Sequence, residues 1–428
     1  MNYCERTRVC HSLITEEAVK EALRADKGSG AQLVSWKIKD FTRKGDNYVA
    51  LVTSVEAEYT LGGAGGQVSY VIKANPCHDA KSYENVTHAI FLKEADFYTN
   101  LLPHMNSVLQ AANVGVLDMP LCYYSRMERK KELIILEDLR TRGFKMFDRR
   151  KGLDIAHAKL ALKGLAKLHA ASLLLQERKP ESLKAKLLNR PWGNLVEGST
   201  NVLPILERTL DTSIIILSKI GGYESSIVWV KNVKAKLQEI FENDVKSTKY
   251  HVLCHGDAWN NNMLFRYSDD ASPAEVMLLD LQACRRVSFA NDLNFLLYTS
   301  LTGDVRKPNL DALLETYRGR FNAVMEAGGA GGEGRLSEAE VLQEFRSKNI
   351  IGAIFGMMAV NFVLMDPQSL MNYAERDGAE QDKGEKDLNK DLENLKKYFM
   401  SMIDTNPYIR PRLLAMFDEF KECGLIPT

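Results

Sequence analysis

The chain of 428 residues is 45% hydrophobic, which is typical of a globular protein, and its length predicts two or three domains or one two-lobed unit. Its 56 basic and 56 acidic side chains give a formal net charge of zero, which argues against a dedicated surface for nucleic acid or for an anionic membrane. Its seven cysteines are scattered and form no C-x-x-C pair, which argues against a disulfide framework or a zinc cluster and indicates a reducing compartment.

The amino-terminal segment MNYCERTRVCHSL has no apolar core of the kind found in secretory signals, so a cytoplasmic location is predicted. The longest apolar run, residues 350–365, has 16 residues and includes Asn361. This run is short for a membrane span and instead predicts a buried helix. We therefore expect neither nucleic acid nor a membrane as a partner, and the sequence leaves the oligomeric state open.

Within the first 140 residues, the segments 33–75 and 132–139 have the β-branched and aromatic composition of strands, and turn residues divide the first of them. A helix with apolar side chains at helical spacing interrupts these strands. Together they predict a small α+β unit. Its elements are a helix at 12–28, three strands within 33–75, a helix at 84–102 and a strand at 132–139.

The sequence after residue 140 predicts mostly helices. The clearest is a long amphipathic helix over 153–176, and Ser337 with Glu340 has the spacing of a capping box at a helix start. Two apolar, strand-like runs flank the segment HGDAWNNN, residues 255–262. The other predicted helices cover 225–244, 309–326, 337–365 and 388–403, and the segments 326–335 and 375–387 are predicted surface loops.

Two glycine-rich segments have the composition of phosphate-binding loops without their context. Residues 329–334 fit G-x-G-x-x-G, but a helix precedes them and the next helix begins only at Ser337. Residues 61–66, LGGAGG, lack the Lys-Ser/Thr that completes a P-loop. The first segment therefore predicts a loop, and the second predicts a hairpin turn between strands.

The segment HGDAWNNN places a carboxylate and several amides at the end of a strand. Asp257 and Asn262 have the spacing of a phosphotransferase loop, in which Asp accepts a hydroxyl proton and Asn offers an oxygen to Mg²⁺. Asp280 follows 18 residues later, at the end of an apolar strand, and offers a second hard oxygen ligand. A lone HGD fits a simple turn better, since Asn and Asp favour turns. The full spacing with Asp280 predicts a magnesium-dependent catalytic site.

A candidate phosphate-binding pair lies upstream of this segment. Lys73 is on the third predicted strand, and Glu94 follows 21 residues later on the next helix. Such a Lys–Glu pair positions the α- and β-phosphates in kinases. A lysine on a strand is usually an exposed, solvated side chain, so Lys73 alone indicates little. The order of the elements along the chain favours the phosphate-binding role. A lysine on a strand is followed by a glutamate on a helix, a further strand, a long helix, the HxDxxxxN segment and a final aspartate.

These residues, in this order, resemble the ecdysteroid-kinase-like proteins, also called the choline-kinase-like group. The resemblance covers residues 30–400 approximately, and HGDxWxNNxLF followed by D-x-Q is much more specific to this group than HxDxxxxN alone. The matching segments are GDNY (45–48), VIK (71–73), E-x-x-F-Y (94–98), LEDL (136–139), LAKLHAAS (165–172), HGDAWNNNMLF (255–265), LLDLQ (278–282) and NDLNFLLYTS (291–300).

The resemblance implies the α+β, two-lobed protein-kinase-like fold of the aminoglycoside and choline phosphotransferases. A β-rich nucleotide-binding lobe, residues 1–138, would end at the hinge. A mostly helical lobe, residues 139–428, would carry the catalytic loop, the metal site and the substrate pocket. The implied activity is ATP-dependent phosphorylation of a small-molecule hydroxyl, with ATP and Mg²⁺ as cofactors. The implied acceptor is an ecdysteroid or a similar apolar alcohol.

The resemblance also implies a role for each matching residue. Asp257 would be the catalytic base, and Asn262 and Asp280 would bind Mg²⁺. Lys73 together with Glu94 would hold the nucleotide phosphates.

Two further segments would contact the nucleotide. Gly45 and Asn47 would belong to the turn that covers it, and the backbone from Glu137 to Leu139 would be the hinge that meets adenine. The turn GDNY lacks the several glycines of protein kinases, and no A-P-E follows Asp280. These departures argue against a protein substrate.

Other residues near the motif have simpler interpretations. His169 lies on an apolar helix stripe and is interpreted as a packed structural histidine. Asp292 resembles a family aspartate that braces the catalytic loop, and His255 is interpreted as an organiser of that loop. Trp259 fits a substrate entrance and simple packing equally well.

Two alternatives remain open beside the apolar-alcohol kinase. The acceptor could be a choline-like or xenobiotic alcohol, or the chain could be a non-catalytic binding protein on the kinase fold. The apolar run 350–365 favours an apolar acceptor only weakly, because such stripes are more often core than pocket. The retained Lys73, Glu94, Asp257 and Asp280 argue against a non-catalytic protein.

Overall fold

The computed structural model combines a β-rich amino-terminal region with a mostly helical carboxy-terminal region, so the predicted α+β class is confirmed. The structure describes residues 3–39, 50–77, 81–183, 194–196, 200–201, 203–246, 250–331, 334–363, 397, 401 and 403–427. The predicted turn at 45–48, the loop at 375–387 and most of the helix at 388–403 lie outside these residues.

An antiparallel five-stranded sheet forms the amino-terminal region, in the order β1-β2-β3-β5-β4. Leu61 pairs with Ala64 across Gly62 and Gly63, whose φ angles are 59° and 85°. Two positive φ angles require a turn of type I′, which glycine adopts without steric cost. The predicted hairpin at 61–66 is therefore confirmed. The strands are β1 (Gln32–Lys39), β2 (Leu51–Leu61), β3 (Ala64–Ala74), β4 (Cys122–Arg126) and β5 (Leu133–Glu137).

The outer face of this sheet packs against α2 (Glu16–Lys27), which follows the amino-terminal helix α1 (Tyr3–Ser12). Side chains alternate along a strand, so Tyr70, Ile72 and Ala74 of β3 face this layer. The Tyr70 hydroxyl also donates a hydrogen bond to Asp26 Oδ2 at 2.8 Å. Lys73 consequently faces the opposite side of the sheet.

The inner face of the sheet meets a helical segment longer than the predicted helix at 84–102. It consists of α3 (Lys81–Asp96), a π-helical turn (Phe97–Leu101) and α4 (Leu102–Ala111). The π turn widens the helix by one residue per turn and buries Phe97, Tyr98 and Leu101. Glu94 therefore lies one turn before a change in helix geometry.

A long buried helix, α5 (Ile155–Arg178), runs through the carboxy-terminal region close to the predicted range. Asp154 caps it, since its side chain accepts hydrogen bonds from the amides of Ala156 and His157. The helix packs against β11 at Gly164, where an added Cβ would lie 3.4 Å from Val276, an ordinary van der Waals contact. This helix is the platform beneath the short strands that carry the HGD segment.

Short antiparallel strands surround the HGD segment. Strand β9 (His251–Cys254) pairs with β12 (Arg285–Ser288), and β10 (Met263–Tyr267) pairs with both β11 (Pro273–Leu278) and β6 (Lys145–Met146). The strand-loop-strand prediction is therefore confirmed. A separate two-stranded ladder joins β7 (Asn194–Val196) to β8 (Thr200–Asn201).

The remaining helices depart from prediction in their boundaries. The helix predicted at 225–244 divides into α7 (Glu224–Ala235) and α8 (Leu237–Lys246). The helix predicted at 337–365 divides into α11 (Glu338–Ser347) and α12 (Asn349–Val363). The helix predicted at 309–326 is observed as α10 (Gly303–Ala327). Helices that the sequence did not predict are α6 (Leu203–Ile220), α9 (Phe289–Ser300) and α13 (Ala415–Glu422), the last after a π turn (Arg410–Leu414).

Helix α12 is buried as its apolar sequence predicts. Phe355 is fully enclosed, with ring centroids 4.6 Å from Phe295 of α9 and 5.9 Å from Phe241 of α8. Within the ranges that the structure describes, none of the helices combines the length and apolar character needed to cross a membrane.

The start of α11 provides a test of the capping box. Ser337 Oγ accepts from the Glu340 amide at 3.2 Å, and Glu340 Oε2 accepts from the Ser337 amide at 2.9 Å. We expect Ser337→Ala to lower the free energy of unfolding by about 1 kcal/mol, and Ser337→Gly by roughly 0.3 kcal/mol. Chemical denaturation of both variants measures the difference. Equal losses for the two variants would contradict a capping role.

Candidate active site

Three residues that are far apart in the sequence meet between the two regions. Lys73 projects from β3, and its Nζ lies 2.5 Å from Glu94 Oε2 of α3 and 3.0 Å from Asp280 Oδ1. Lys73 is only 8% exposed and Glu94 only 1%. Lys73 is therefore a buried ammonium shared by two carboxylates. It is not the exposed, solvated side chain that a lysine on a strand usually has.

One cation opposes two carboxylates in this cluster, and the pKa values reflect it. Burial alone would lower the pKa of Lys73, but the charges of Asp280 and Glu94 outweigh it and raise that pKa. Burial raises the pKa of Glu94, the charge of Lys73 opposes this rise, and the negative charge of Asp280 adds to it. The cluster thus holds a fixed ammonium and an excess of negative charge.

Asp280 occupies an unusual backbone position at the end of the β10–β11 hairpin. Its φ of 65° and ψ of 67° are left-handed, which few residues other than Gly, Asn and Asp adopt. The Leu279 amide donates to the Asn262 carbonyl at 2.9 Å, so the two ends of the hairpin stay together. Gln282 Nε2 donates to Asp280 Oδ2 at 3.2 Å. The hairpin therefore brings both predicted metal ligands to one place.

Asn262 and Asp257 are directly linked within the HGD segment. Asn262 Nδ2 donates to the Asp257 carbonyl and to Asp257 Oδ2, both at 2.9 Å. Because the amide nitrogen is committed to Asp257, Oδ1 of Asn262 is the atom that would ligate a cation. Together with Asp280 it forms a hard oxygen donor set that fits Mg²⁺, which prefers such ligands with phosphate and water completing its shell.

The Asp257 carboxyl lies in a protected environment. Burial raises its pKa to about 7, the negative charge of Asp280 adds to the rise, and the hydrogen bond from Asn262 opposes it. A divalent cation held by Asn262 and Asp280 would lower this pKa again, since it would favour the carboxylate. The protonation of Asp257 is therefore coupled to the binding of a cation by Asn262 and Asp280.

A fully buried aspartate, Asp292 of α9, holds the backbone that precedes Asp257. Its Oδ2 accepts from the His255 amide at 2.6 Å, and its Oδ1 accepts from the Gly256 amide at 2.9 Å. His169 Nε2 lies 3.0 Å from the same carboxylate, and Tyr317 OH lies 2.9 Å from His169 Nδ1. Burial opposes ionisation of Asp292, but His169 and the other donors outweigh it and lower its pKa.

His255 acts as a neutral organiser of the loop. Its Nε2 donates to the Leu279 carbonyl at 2.8 Å, and its Nδ1 accepts from the Asp257 amide at 3.3 Å. Burial lowers the pKa of His255, which agrees with the neutral ring that these two bonds require. His255 thereby links the loop of Asp257 to the end of the strand that leads to Asp280.

Gly256 is a residue whose importance sequence reasoning missed. Its φ is 81°, and a Cβ at this position would lie 2.2 Å from the Ala283 carbonyl oxygen. Glycine alone therefore allows the loop to pass the turn that follows Asp280. The available signal was a glycine between His255 and Asp257, where protein kinases have arginine. The role of Gln282 was also missed, although the D-x-Q spacing placed an amide two residues from Asp280.

The other predicted site residues fall into two groups. Glu137 ends β5 and Leu139 begins a 3₁₀ turn, so both lie on the connection between the two regions. Gly45 and Asn47 lie outside the described residues. Trp259 is partly buried and packs against the main core.

The model of the ecdysteroid kinase-like family matches residues 44–328. No curated protein sequence matches the chain.

Two solved structures of kinases are similar at low identity. An ethanolamine kinase of Plasmodium vivax has 12% identity and a TM-score of 0.36, with 88% of this chain and 87% of that chain covered. A microcompartment-associated aminopropanol kinase has 11% identity and a TM-score of 0.33, with 82% and 90% covered. These scores are too low to transfer any property, so the family match carries the assignment.

The loop geometry gives a prediction for Gly256→Ala. We expect the left-handed φ and the collision with Ala283 together to lower the free energy of unfolding by more than about 2 kcal/mol. Gly329→Ala is the matched control, because its φ is also 81° and nothing lies within 4 Å of its added Cβ. This control should lose only about 1 kcal/mol. Denaturant titration compares them, and equal losses would contradict the close approach to Ala283.

Proposed function

The chain belongs to the ecdysteroid kinase-like family, and on this premise we propose that it transfers the γ-phosphoryl group of ATP to a hydroxyl of a small molecule. The observation that carries the proposal is the meeting of Lys73, Glu94 and Asp280 beside the linked pair Asp257 and Asn262. These groups fit the phosphate, metal and hydroxyl positions of phosphoryl transfer.

In this proposal Asp257 acts on the hydroxyl group of the acceptor. Its carboxylate orients the attacking hydroxyl and takes the proton as the new oxygen–phosphorus bond forms. The bond between the γ-phosphorus and the ADP oxygen breaks in the same transfer, and ADP leaves with the electron pair. A cation held by Asn262 and Asp280 would lower the raised pKa of Asp257, so its carboxyl group would be ionised at neutral pH and able to accept the proton.

Asn262 and Asp280 would hold Mg²⁺ between them through oxygen atoms. The ion, when bound, neutralises charge on the β- and γ-phosphates. Asp280 also forms an ion pair with Lys73. We propose that Lys73 keeps its contact with Glu94 and turns to the phosphates, which frees Asp280 for the cation.

The nucleotide would lie between the lobes, which we divide at residues 1–138 and 139–428. The hinge from Glu137 to Leu139 would meet adenine, and Gly45 with Asn47 would cover the phosphates. We place the activity in the cytoplasm because the odd, scattered cysteines fit a reducing compartment.

For the acceptor we propose an ecdysteroid or a similar apolar alcohol, and the family description supports this choice. Helix α12 gives no further support, because Phe355 and Met357 are enclosed in the core. A choline-like or xenobiotic alcohol is the second candidate. A non-catalytic binding protein is the third, and the complete set of Lys73, Glu94 and Asp257 argues against it.

The decisive experiment measures ATP consumption against ecdysteroids, choline analogues and plant phenolics, with phosphorylated product identified by mass spectrometry.

Asp257→Asn should lower kcat by about 10²–10⁴-fold while ATP affinity changes little, since the base is lost and the shape is kept. Asp269→Asn, an exposed aspartate of the β10–β11 turn, is the control. A decrease in kcat of only about threefold would be far smaller than the loss expected of a general base. That result would remove Asp257 from the mechanism.

Metal dependence tests Asn262 and Asp280 separately from turnover. Two protein ligands are too few for Mg²⁺, so tight binding should require nucleotide phosphates. Calorimetry should show that Mg²⁺ strengthens ATP binding in the wild type and strengthens it much less in Asp280→Asn. The same metal effect in both proteins would contradict this metal site.

A further inference from the structure

The hinge contains a buried aspartate that the phosphotransfer chemistry does not use. Asp138 is 2% exposed and lies between Glu137 and Leu139. Its Oδ2 accepts a hydrogen bond from Ser69 Oγ at 2.6 Å. Arg140 contacts both carboxylate oxygens, with Nε 2.9 Å from Oδ1 and Nη2 2.7 Å from Oδ2. The Arg140 amide adds a bond of 3.1 Å to Oδ1.

These bonds join the hinge to the strand that carries Lys73. Ser69 and Lys73 are four residues apart on β3, so their side chains lie on the same face, about 13 Å apart along the strand. Lys73 marks this face as the side of the candidate active site, since it contacts Asp280 there. Asp138 thus connects the hinge to the same face of β3 that holds the phosphate-binding lysine.

The backbone of Asp138 is fixed as well. Its carbonyl accepts from the Thr141 amide at 3.1 Å and from Thr141 Oγ1 at 2.7 Å. Burial would raise the pKa of Asp138, but the hydrogen bonds from Arg140 and Ser69 outweigh it and lower that pKa. Each of the three oxygen atoms therefore has protein donors, so Asp138 is suited to hold the hinge and not to contact a nucleotide itself.

We infer that Asp138, clamped by Ser69 and Arg140, is a positioning residue that sets the preference of the hinge for adenine over guanine. A purine base is distinguished by hydrogen bonds along one edge, and a hinge backbone reads that edge only if it is held in place. This inference rests on the proposed function, because it assumes that the hinge receives the base of ATP.

The neighbouring ion pair offers a matched control. Arg142 Nη1 lies 3.0 Å from Glu137 Oε1 on the same hinge, and its side chain is 44% exposed, close to the 48% of Arg140. Arg142→Gln therefore removes a hinge ion pair without touching the link from Asp138 to Ser69.

The test measures ADP and GDP affinity by calorimetry with Mg²⁺, for the full chain and its variants, so no acceptor is needed. The wild type should prefer ADP. Asp138→Asn should reduce this preference about three- to tenfold, the scale of one hydrogen bond, with ADP binding weakened and GDP binding not weakened in proportion. Ser69→Ala should shift the preference in the same direction, and Arg142→Gln should leave it unchanged.

Other outcomes overturn the inference. An unchanged preference in Asp138→Asn and Ser69→Ala would do so, as would an equal loss for both nucleotides, which a merely structural role predicts. If Asp138→Asn does not fold, Ser69→Ala decides alone, because it removes one hydroxyl from a partly exposed position. A wild type that binds neither nucleotide overturns the proposed function and the clamp together, whereas a wild type that binds both equally overturns only the clamp.

Discussion

The sharing of one buried ammonium between two carboxylates is the interaction on which the candidate active site depends. Lys73 comes from the sheet, Glu94 from the helix behind it and Asp280 from the hairpin of the helical region. A buried ion pair contributes little net stability but is costly to break, since an unpaired charge would then remain in a low dielectric. The contact therefore specifies the relative position of the three elements more than it stabilises the fold.

A second buried charge does the same for the loop of Asp257. Asp292 binds two successive backbone amides, and His169 with Tyr317 fixes the orientation of its carboxylate. Because these hydrogen bonds involve backbone amides, they fix the loop independently of the side chains that the loop carries. Asp292 thus holds the loop without using the side chain of Asp257.

The sequence was most informative where chemistry depends on spacing. Asn262 and Asp280 lie at the two ends of the β10–β11 hairpin, which brings its ends together, and Asp257 lies on the loop just before Asn262. Burial could not be predicted in the same way. Lys73 has the sequence context of an exposed strand residue, and only the packing of α3 and the β10–β11 hairpin encloses it.

Element boundaries were less predictable for physical reasons. Helices α7 and α8 meet at Lys236, and α11 and α12 meet at Lys348, without a proline or glycine to mark either break. Helix α9 was missed because it is buried on all sides and so lacks the polar face that reveals a helix. The close approach at Gly256 depends on Ala283, a contact that no local pattern contains.

The layer formed by α2 on the outer face of the sheet has a consequence for how the chain can be shortened. The family match begins at residue 44, after both amino-terminal helices and β1. A chain cut there would lose the partners of Tyr70 and Ile72 and leave β2 as an unpaired sheet edge. An uncovered apolar face beside an open edge promotes self-association. The boundary of sequence similarity is therefore not a boundary at which this lobe can stand alone.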